Sequence, residues 1–376
     1  MIRRMATALG LIVVSTALCL VAGEIFVFRI FLDPANFLEA TLIDDPILGH
    51  RIAPYSTGHD ALGFRNKSVP ERADIVAIGD SQTYGVRATR EGSWPHQLAA
   101  MLGESVYDMG MPGYGPVDYL YVLREEAPRL HPKQLVVGFY FGNDLLDACW
   151  AVTQRAYWAS WRRAGPDICP PYAEPRKRFG ALRDWLAGHS VLYGAAKMAL
   201  ERLIARMKSY DASSAARDEE MVWLDPAEPS VRTIFTPAGR HGVVDPKLPA
   251  VQEGLRITER AFAEMREAAA RQGAHLLVVL IPTKEHAYCA YLEQTKTALP
   301  PEYAGLCRDE GLVEEDLSAY LASAGIAHVD ALGPMQKAVA DHVQIYPADE
   351  NGHPLAAGYA VIARTVRDAL ANPQPE

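Results

Sequence analysis

The stretch "AIGDSQTYGV" at residues 77–86 ends an apolar run in Gly79-Asp80-Ser81. A hydroxyl presented where a buried strand runs out can act as a nucleophile, provided that a base takes its proton. A base comes late in the chain: His353 in "ADENGHPLAAGY", preceded by Asp349 and Glu350. Its ordinary pKa near 6.5 suits the task, and an acid a few residues before it can orient the ring and stabilise the imidazolium. A tetrahedral intermediate also needs donors in place. The amide of Ser81, the amide of Gly113 in "MPGYG" and the side-chain amide of Asn143 in "FGND" could supply three. Losing one such donor typically costs about 10²–10³ in rate. These residue types, in this order, suit cleavage of an ester through an acyl-serine, which needs no cofactor. Taken singly each is weak: Gly-Asp-Ser is also an ordinary turn, and His353 is one of 11 histidines.

The elements that must position these residues alternate. "ADIVAIGD" (73–80), "SVYDMG" (105–110), "QLVVGFYFGND" (134–144), "AHLLVVLIPTKE" (274–285) and "IAHVD" (326–330) read as buried strands. Helical patterns are expected over 91–103, 117–130, 250–272, 314–325 and 356–370. Strands alternating with helices predict an α/β fold with a parallel sheet covered on both faces. In such sheets the working residues lie beyond the carboxyl ends of the strands, which is where Ser81, Gly113 and Asn143 fall. From about 149 to 250 the alternation dissolves into tryptophans, prolines, a helical stretch near 180–207 and a loose polar segment, read as an insertion capping the site.

The chain has 376 residues, enough for one large α/β domain of 73–372 carrying that insertion, preceded by an approach segment of 33–72. Residues 5–23 are uncharged and follow Arg3 and Arg4. As a helix they would span about 28 Å, one bilayer core, and the arginines would hold the N-terminus in the cytoplasm. Residues 1–32 are therefore a membrane anchor, or a signal sequence cleaved near Val21-Ala22-Gly23; the apolar "IFVFRIFL" beyond Glu24 favours the anchor. Glu24 and Arg29 would lie at its outer boundary. Either way the body lies outside the cytoplasmic membrane, in the periplasm of a bacterium or secreted. In that oxidising space the four cysteines beyond Cys19 are expected to pair locally, Cys149 with Cys169 and Cys289 with Cys307, against the alternative of four free thiols. No Cys-x-x-Cys and no histidine pair with ligand spacing indicate a metal. A formal net charge of −9 without a basic block argues against nucleic acid.

The blocks "GDSQTYG", "MPGYG", "FGND" and "DENGHPLAAGY" resemble those of the SGNH, or GDSL-type, hydrolase family. The resemblance implies a flavodoxin-like three-layer α/β/α fold, with Ser81 as nucleophile and His353 as base. It implies Ser81, Gly113 and Asn143 as the oxyanion hole. The family's last block is usually Asp-x-x-His. Here Glu350 stands three residues before His353 and Asp349 four, so the triad acid is one of the two, with Asp349 preferred. "DPILGHRIAP" and "IPTKEHAY" resemble segments of membrane-anchored bacterial members, some related to polysaccharide O-acetylation. The expected activity is thus hydrolysis of short-chain acyl esters. The alternative is acyl transfer to an exported polysaccharide, with a multi-spanning membrane protein as acyl donor; a binding protein with a degenerate site is the third reading. Lys284 could contact substrate or form a solvated pair with Glu285. Trp150, with Trp158 and Trp161, could stack on sugar or fill a satellite core.

Overall fold

The computed structural model describes residues 2–165, 167–169, 180–208 and 221–372. All five expected strands form one parallel sheet: β3 (Ile75–Gly79), β4 (Val106–Gly110), β5 (Gln134–Tyr140), β8 (His275–Ile281) and β9 (Ala327–Asp330), in the order β4-β3-β5-β8-β9. Numbered along the chain within the sheet this is 2-1-3-4-5, the flavodoxin-like order, whose switch point lies beside the first strand. The period of two divides each strand between two buried faces. Val76, Ile78, Val137, Phe139, Val278 and Leu280 enter one core with the long helices Pro249–Gln272 and Pro301–Ser323. Ile75, Ala77, Val136, Val279 and Ile281 enter the other, under Trp94–Leu102 and Ala356–Ala371. Apolar side chains on both faces are the reason these strands read as unbroken apolar runs.

Three glycines lie side by side where β3, β4 and β5 meet, because the register pairs Gly79 with both Gly110 and Gly138. The short helix Ser81–Tyr84 settles on this row. A side chain on Gly138 would begin 2.6 Å from Thr83 Oγ1, and one on Gly110 would run into the backbone of Tyr84. No such contact is tolerable, so the turn after β3 can fold down onto the sheet only over bare backbone.

Elements that the sequence did not disclose are short or set off by tertiary contacts. The approach segment contains a hairpin, β1 (Leu42–Asp45) with β2 (Gly49–Ile52). The stretch read as loose and polar contains a second hairpin, β6 (Met221–Leu224) with β7 (Arg232–Phe235), and the helix Pro237–Val244. Four-residue strands carry little periodicity. The second hairpin is held by Gln344, which binds the backbone of Arg232, and by Thr233, whose hydroxyl donates to Pro347 O. Helices at Asp144–Gln154, Lys284–Gln294 and Leu332–Ala340 were also not expected.

The helix over residues 2–23 continues, through a π turn, to Phe31, and its window Gly10–Phe31 is long and apolar enough to cross a membrane or to serve as a signal sequence. Disulfides join Cys149 to Cys169 and Cys289 to Cys307. Each closes a loop of about 20 residues, worth roughly 3 kcal/mol in the chain-entropy model. Replacing Cys289 and Cys307 together by serine should therefore lower the unfolding free energy by about that amount in urea titrations; an unchanged midpoint would show that the bridge constrains nothing.

Candidate active site

Ser81 opens its helix with Asp80 as the N-cap, whose carboxylate accepts from the Gln82 amide at 2.8 Å. Asp80 is fully buried, and burial pushes its carboxyl up to about 6 against the hydrogen bonds it receives from Gln82, Ser81 and Asn143. Ser81 Oγ lies 2.7 Å from His353 Nε2, across 272 residues of chain. The late histidine and the early serine, singled out by type and order, are therefore in contact.

Neither expected acid is on the other side of the ring. His353 Nδ1 is 2.7 Å from Asn351 Oδ1, and the same oxygen accepts the His353 backbone N–H at 2.9 Å. Asp349 turns away to accept from Arg87 Nη2 at 2.5 Å and from the Asn351 amide at 3.0 Å. Glu350 is exposed. The correction has a local cause. The Asn351 side-chain oxygen accepts the backbone N–H two residues on, an Asx-type turn, and this turn sets that oxygen, and neither carboxylate, against Nδ1. The backbone N–H also settles a question of protonation. An amide that accepts from a main-chain N–H must present its oxygen, so Nδ1 must be the protonated nitrogen. That leaves Nε2 as the bare acceptor facing Ser81.

The ring is half-buried, and loss of solvent draws its pKa down to about 4, with the charges of Arg240 and Arg87 acting in the same direction. Arg240 comes from the inserted helix Pro237–Val244 and donates to Gly142 O at 3.1 Å. The insertion thereby supplies part of the wall around His353.

The remaining expected residues divide. Gly113 follows β4 with φ +82, a left-handed turn that exposes its amide, and the ring of His50 from β2 stands 3.2 Å from where a side chain would begin. His50 donates through Nε2 to Pro112 O at 2.8 Å, so the approach hairpin braces this loop. Asn143 follows β5; its Nδ2 donates to the half-buried Asp147, which the sequence did not single out. Asp144 braces the loop, accepting from the Tyr140 amide and the Tyr119 hydroxyl. Ser81, Gly113 and Asn143 thus follow three adjacent strands at their carboxyl ends.

Lys284 requires a correction. It neither meets substrate nor pairs with Glu285 in solvent, for both residues are fully buried. Its ammonium donates to three carbonyls: Ile234 of β7 at 2.5 Å, Asp349 at 3.1 Å and Asn351 at 3.3 Å. One charge thereby ties the hairpin to the loop that carries His353. Burial lowers its pKa to about 8. Trp158 and Trp161 lie in the main core, and Trp150 packs half-buried on the cluster of Leu146, Cys149 and Ala250, which gives these rings packing roles. His241, Asp245 and Asp309 are close enough to hold a metal ion, but the carboxylate of Asp309 is already engaged by Arg308 and His241.

The charges around His353 make its titration a direct test. In NMR titrations the ring should stay neutral down to about pH 4. Arg87→Gln should raise that midpoint, because removing a nearby positive charge favours the protonated ring. A midpoint near 6.5 in the parent protein would contradict the half-buried, arginine-flanked environment.

A family model described as GDSL-like lipase/acylhydrolase matches residues 77–361, from β3 into the last helix. The fold is similar to that of a GDSL-like lipase from Bacteroides thetaiotaomicron, at 14% identity and TM-score 0.36, over 81% of this chain and 89% of that one. A member of the lipolytic G-D-S-L family from Veillonella parvula gives 11% identity and TM-score 0.38, over 79% and 98%. A catalytic mutant of an acetylxylan esterase from Geobacillus stearothermophilus gives 10% and 0.38, over 79% and 94%. Comparison with curated protein sequences returned no match. The matched region runs through Ser81, Gly113, Asn143 and His353 and takes in most of the chain: this protein belongs to the GDSL-like lipase/acylhydrolase family.

Proposed function

We propose that this protein is a membrane-anchored serine esterase that hydrolyses short-chain acyl esters on the periplasmic side. The single observation that carries the catalytic reading is the Ser81–His353 contact of 2.7 Å, with Asn351 holding the ring in the tautomer that leaves Nε2 free to accept. Ser81 Oγ attacks the ester carbonyl carbon and gives its proton to His353 Nε2. The oxyanion rests on the amides of Ser81 and Gly113 and on Asn143. As the tetrahedral intermediate collapses, the C–O bond to the alcohol breaks and the imidazolium protonates the leaving oxygen. Water, deprotonated by the same nitrogen, then attacks the acyl-serine, and the carboxylic acid leaves as Ser81 regains its proton.

A neutral asparagine in place of an acid fits a histidine held unprotonated at neutral pH. It orients the ring without adding negative charge, and the imidazolium, when it forms, is stabilised less than it would be by a carboxylate. The membrane reading is supported by the apolar N-terminal helix, and the oxidising compartment by the two disulfides.

Ser81→Ala and His353→Ala should each abolish hydrolysis of p-nitrophenyl acetate with the fold retained, since nucleophile and base act as a unit. Asn351→Ala should cost on the order of 10³ in kcat. Asn351→Asp should retain activity and move the acid limb of the pH profile upward, as an anion beside Nδ1 stabilises the charged ring. Full activity in Ser81→Ala would end the proposal. Adding sugar acceptors to the same assay separates hydrolysis from transfer, because a transferase would pass the acyl group to the sugar in preference to water. The Lys284 ammonium holds the His353 loop only while charged, so kcat should fall above about pH 8; a flat alkaline profile would show that the loop does not need it.

A further inference from the structure

The inserted helices Ala181–His189 and Val191–Lys208 meet at Ser190, and both ends of that junction are held by the N-terminal segment. Glu24 accepts from the Val191 and Leu192 amides at 2.8 and 2.9 Å and from Ser190 Oγ at 3.1 Å, at the start of the second helix. Arg29 donates to His189 O at 2.6 Å, at the end of the first, and to Glu24 at 3.2 Å. An anion on the amide end of one helix and a cation on the carbonyl end of the other each oppose the local helix dipole favourably. The pair is therefore clamped to residues directly beyond the uncharged run 5–23.

The inner face of the pair is packed. Ala187 and Val191 are buried, and Gly194 lies against the backbone of Phe37. The outer face is apolar and open. Leu182 and Trp185 are 72% and 56% exposed, and Leu200, Leu203 and Ile204 are all about half exposed. At about 100° per residue, Leu200, Leu203 and Ile204 lie roughly a third to half a turn round from Val191, and Leu182 and Trp185 nearly half a turn from Ala187. A helix on a water-facing surface would carry polar side chains there. Apolar side chains grouped on an outer face mark an interaction surface, and an exposed tryptophan on such a face suits the headgroup level of a bilayer.

We propose that this helix pair lies on the membrane surface, its outer apolar face in the lipid interface beside the point where the N-terminal helix leaves the bilayer. The inference rests on the reading of that helix as a membrane span. What selects lipid over another occupant is continuity: the clamp ties the pair to Glu24 and Arg29, and Ile25, Phe26, Ile30 and Phe31 of the same segment are themselves exposed. The surface has a route to the site. Glu201 of the second helix lies 3.6 Å from Arg87, which binds Asp349 at 2.5 Å in the loop that carries His353. The loop that carries His353 is thereby linked to the lipid-facing pair.

The test uses the full chain in vesicles of phosphatidylethanolamine and phosphatidylglycerol whose acyl chains carry bromine near the headgroup end, a quencher of tryptophan emission. The other described tryptophans are buried or half-buried. Emission should be quenched in the parent protein, and Trp185→Phe should lose most of that quenching while hydrolysis of p-nitrophenyl acetate is unchanged. A second variant, Leu200→Glu with Leu203→Glu, should lose it with Trp185 intact. Equal quenching in the parent and Trp185→Phe would overturn the inference. So would absence of quenching accompanied by chemical cross-linking of two chains through this face, which would assign it to a second copy. Alkaline carbonate extraction keeps the two levels apart. Release of the protein would remove the membrane span and this inference with it; retention without Trp185 quenching would remove this inference alone.

Discussion

The hydrogen bond between Ser81 and His353 closes the fold on itself, joining the turn after the first strand of the parallel sheet to the loop before the last helix. Such a contact tolerates little displacement at either end. At the serine end the requirement falls on backbone rather than side chains. Gly79, Gly110 and Gly138 lie in register across three strands and let the turn descend onto the sheet. At the histidine end no regular element carries the loop. It is held by the buried Lys284 ammonium, by Asn351 folding back on the residue two positions on, and by Asp349 in the grip of Arg87.

The electrostatics follow from how dry this region is. Asp80 and Asp144 are fully buried and Asp147 and His353 half-buried, and burial disfavours the charged form of each. For a histidine that is to accept a proton the shift keeps the ring in the neutral, competent form down to lower pH and makes it a weaker base. Arg87 and Arg240 reinforce it, and the uncharged Asn351 does not oppose it. A carboxylate bonded to Nδ1 would pull the other way. The orienting group and the two arginines therefore form a consistent set, in which the position of one charge explains why another is missing.

The inserted region takes part in the site through two separate routes. Its second half supplies Arg240 and the strand that shares Lys284 with the His353 loop. Its first half, the helix pair clamped by Glu24 and Arg29, reaches the same loop through Glu201 and Arg87. An insertion that interrupts the alternation of strands and helices thus makes contact, through each of its halves, with the loops that hold the site.

All five sheet strands, most of the long helices, both disulfides and the residues Ser81 and His353 were legible in the sequence. Each leaves a local mark: an apolar run closed by glycine, a 3.6-residue period, a cysteine spacing, a hydroxyl at a strand end. What decided the rest was not local. Asp349 and Glu350 are acids at plausible distances before His353, and only the conformation of that loop turns Asn351 toward the ring in their place. Lys284 reads as a surface cation, because nothing in "IPTKE" discloses that a hairpin from the insertion will cover it. The two hairpins are too short to show a period and exist through contacts with Gln344, Pro112 and Pro347. The sequence by itself determined which backbone segments form the sheet and which residues stand at its carboxyl edge, because those properties depend on near neighbours in the chain. The tertiary structure alone decided which group faces His353 Nδ1 and how that ring is charged, because both depend on atoms brought together from segments tens to hundreds of residues apart.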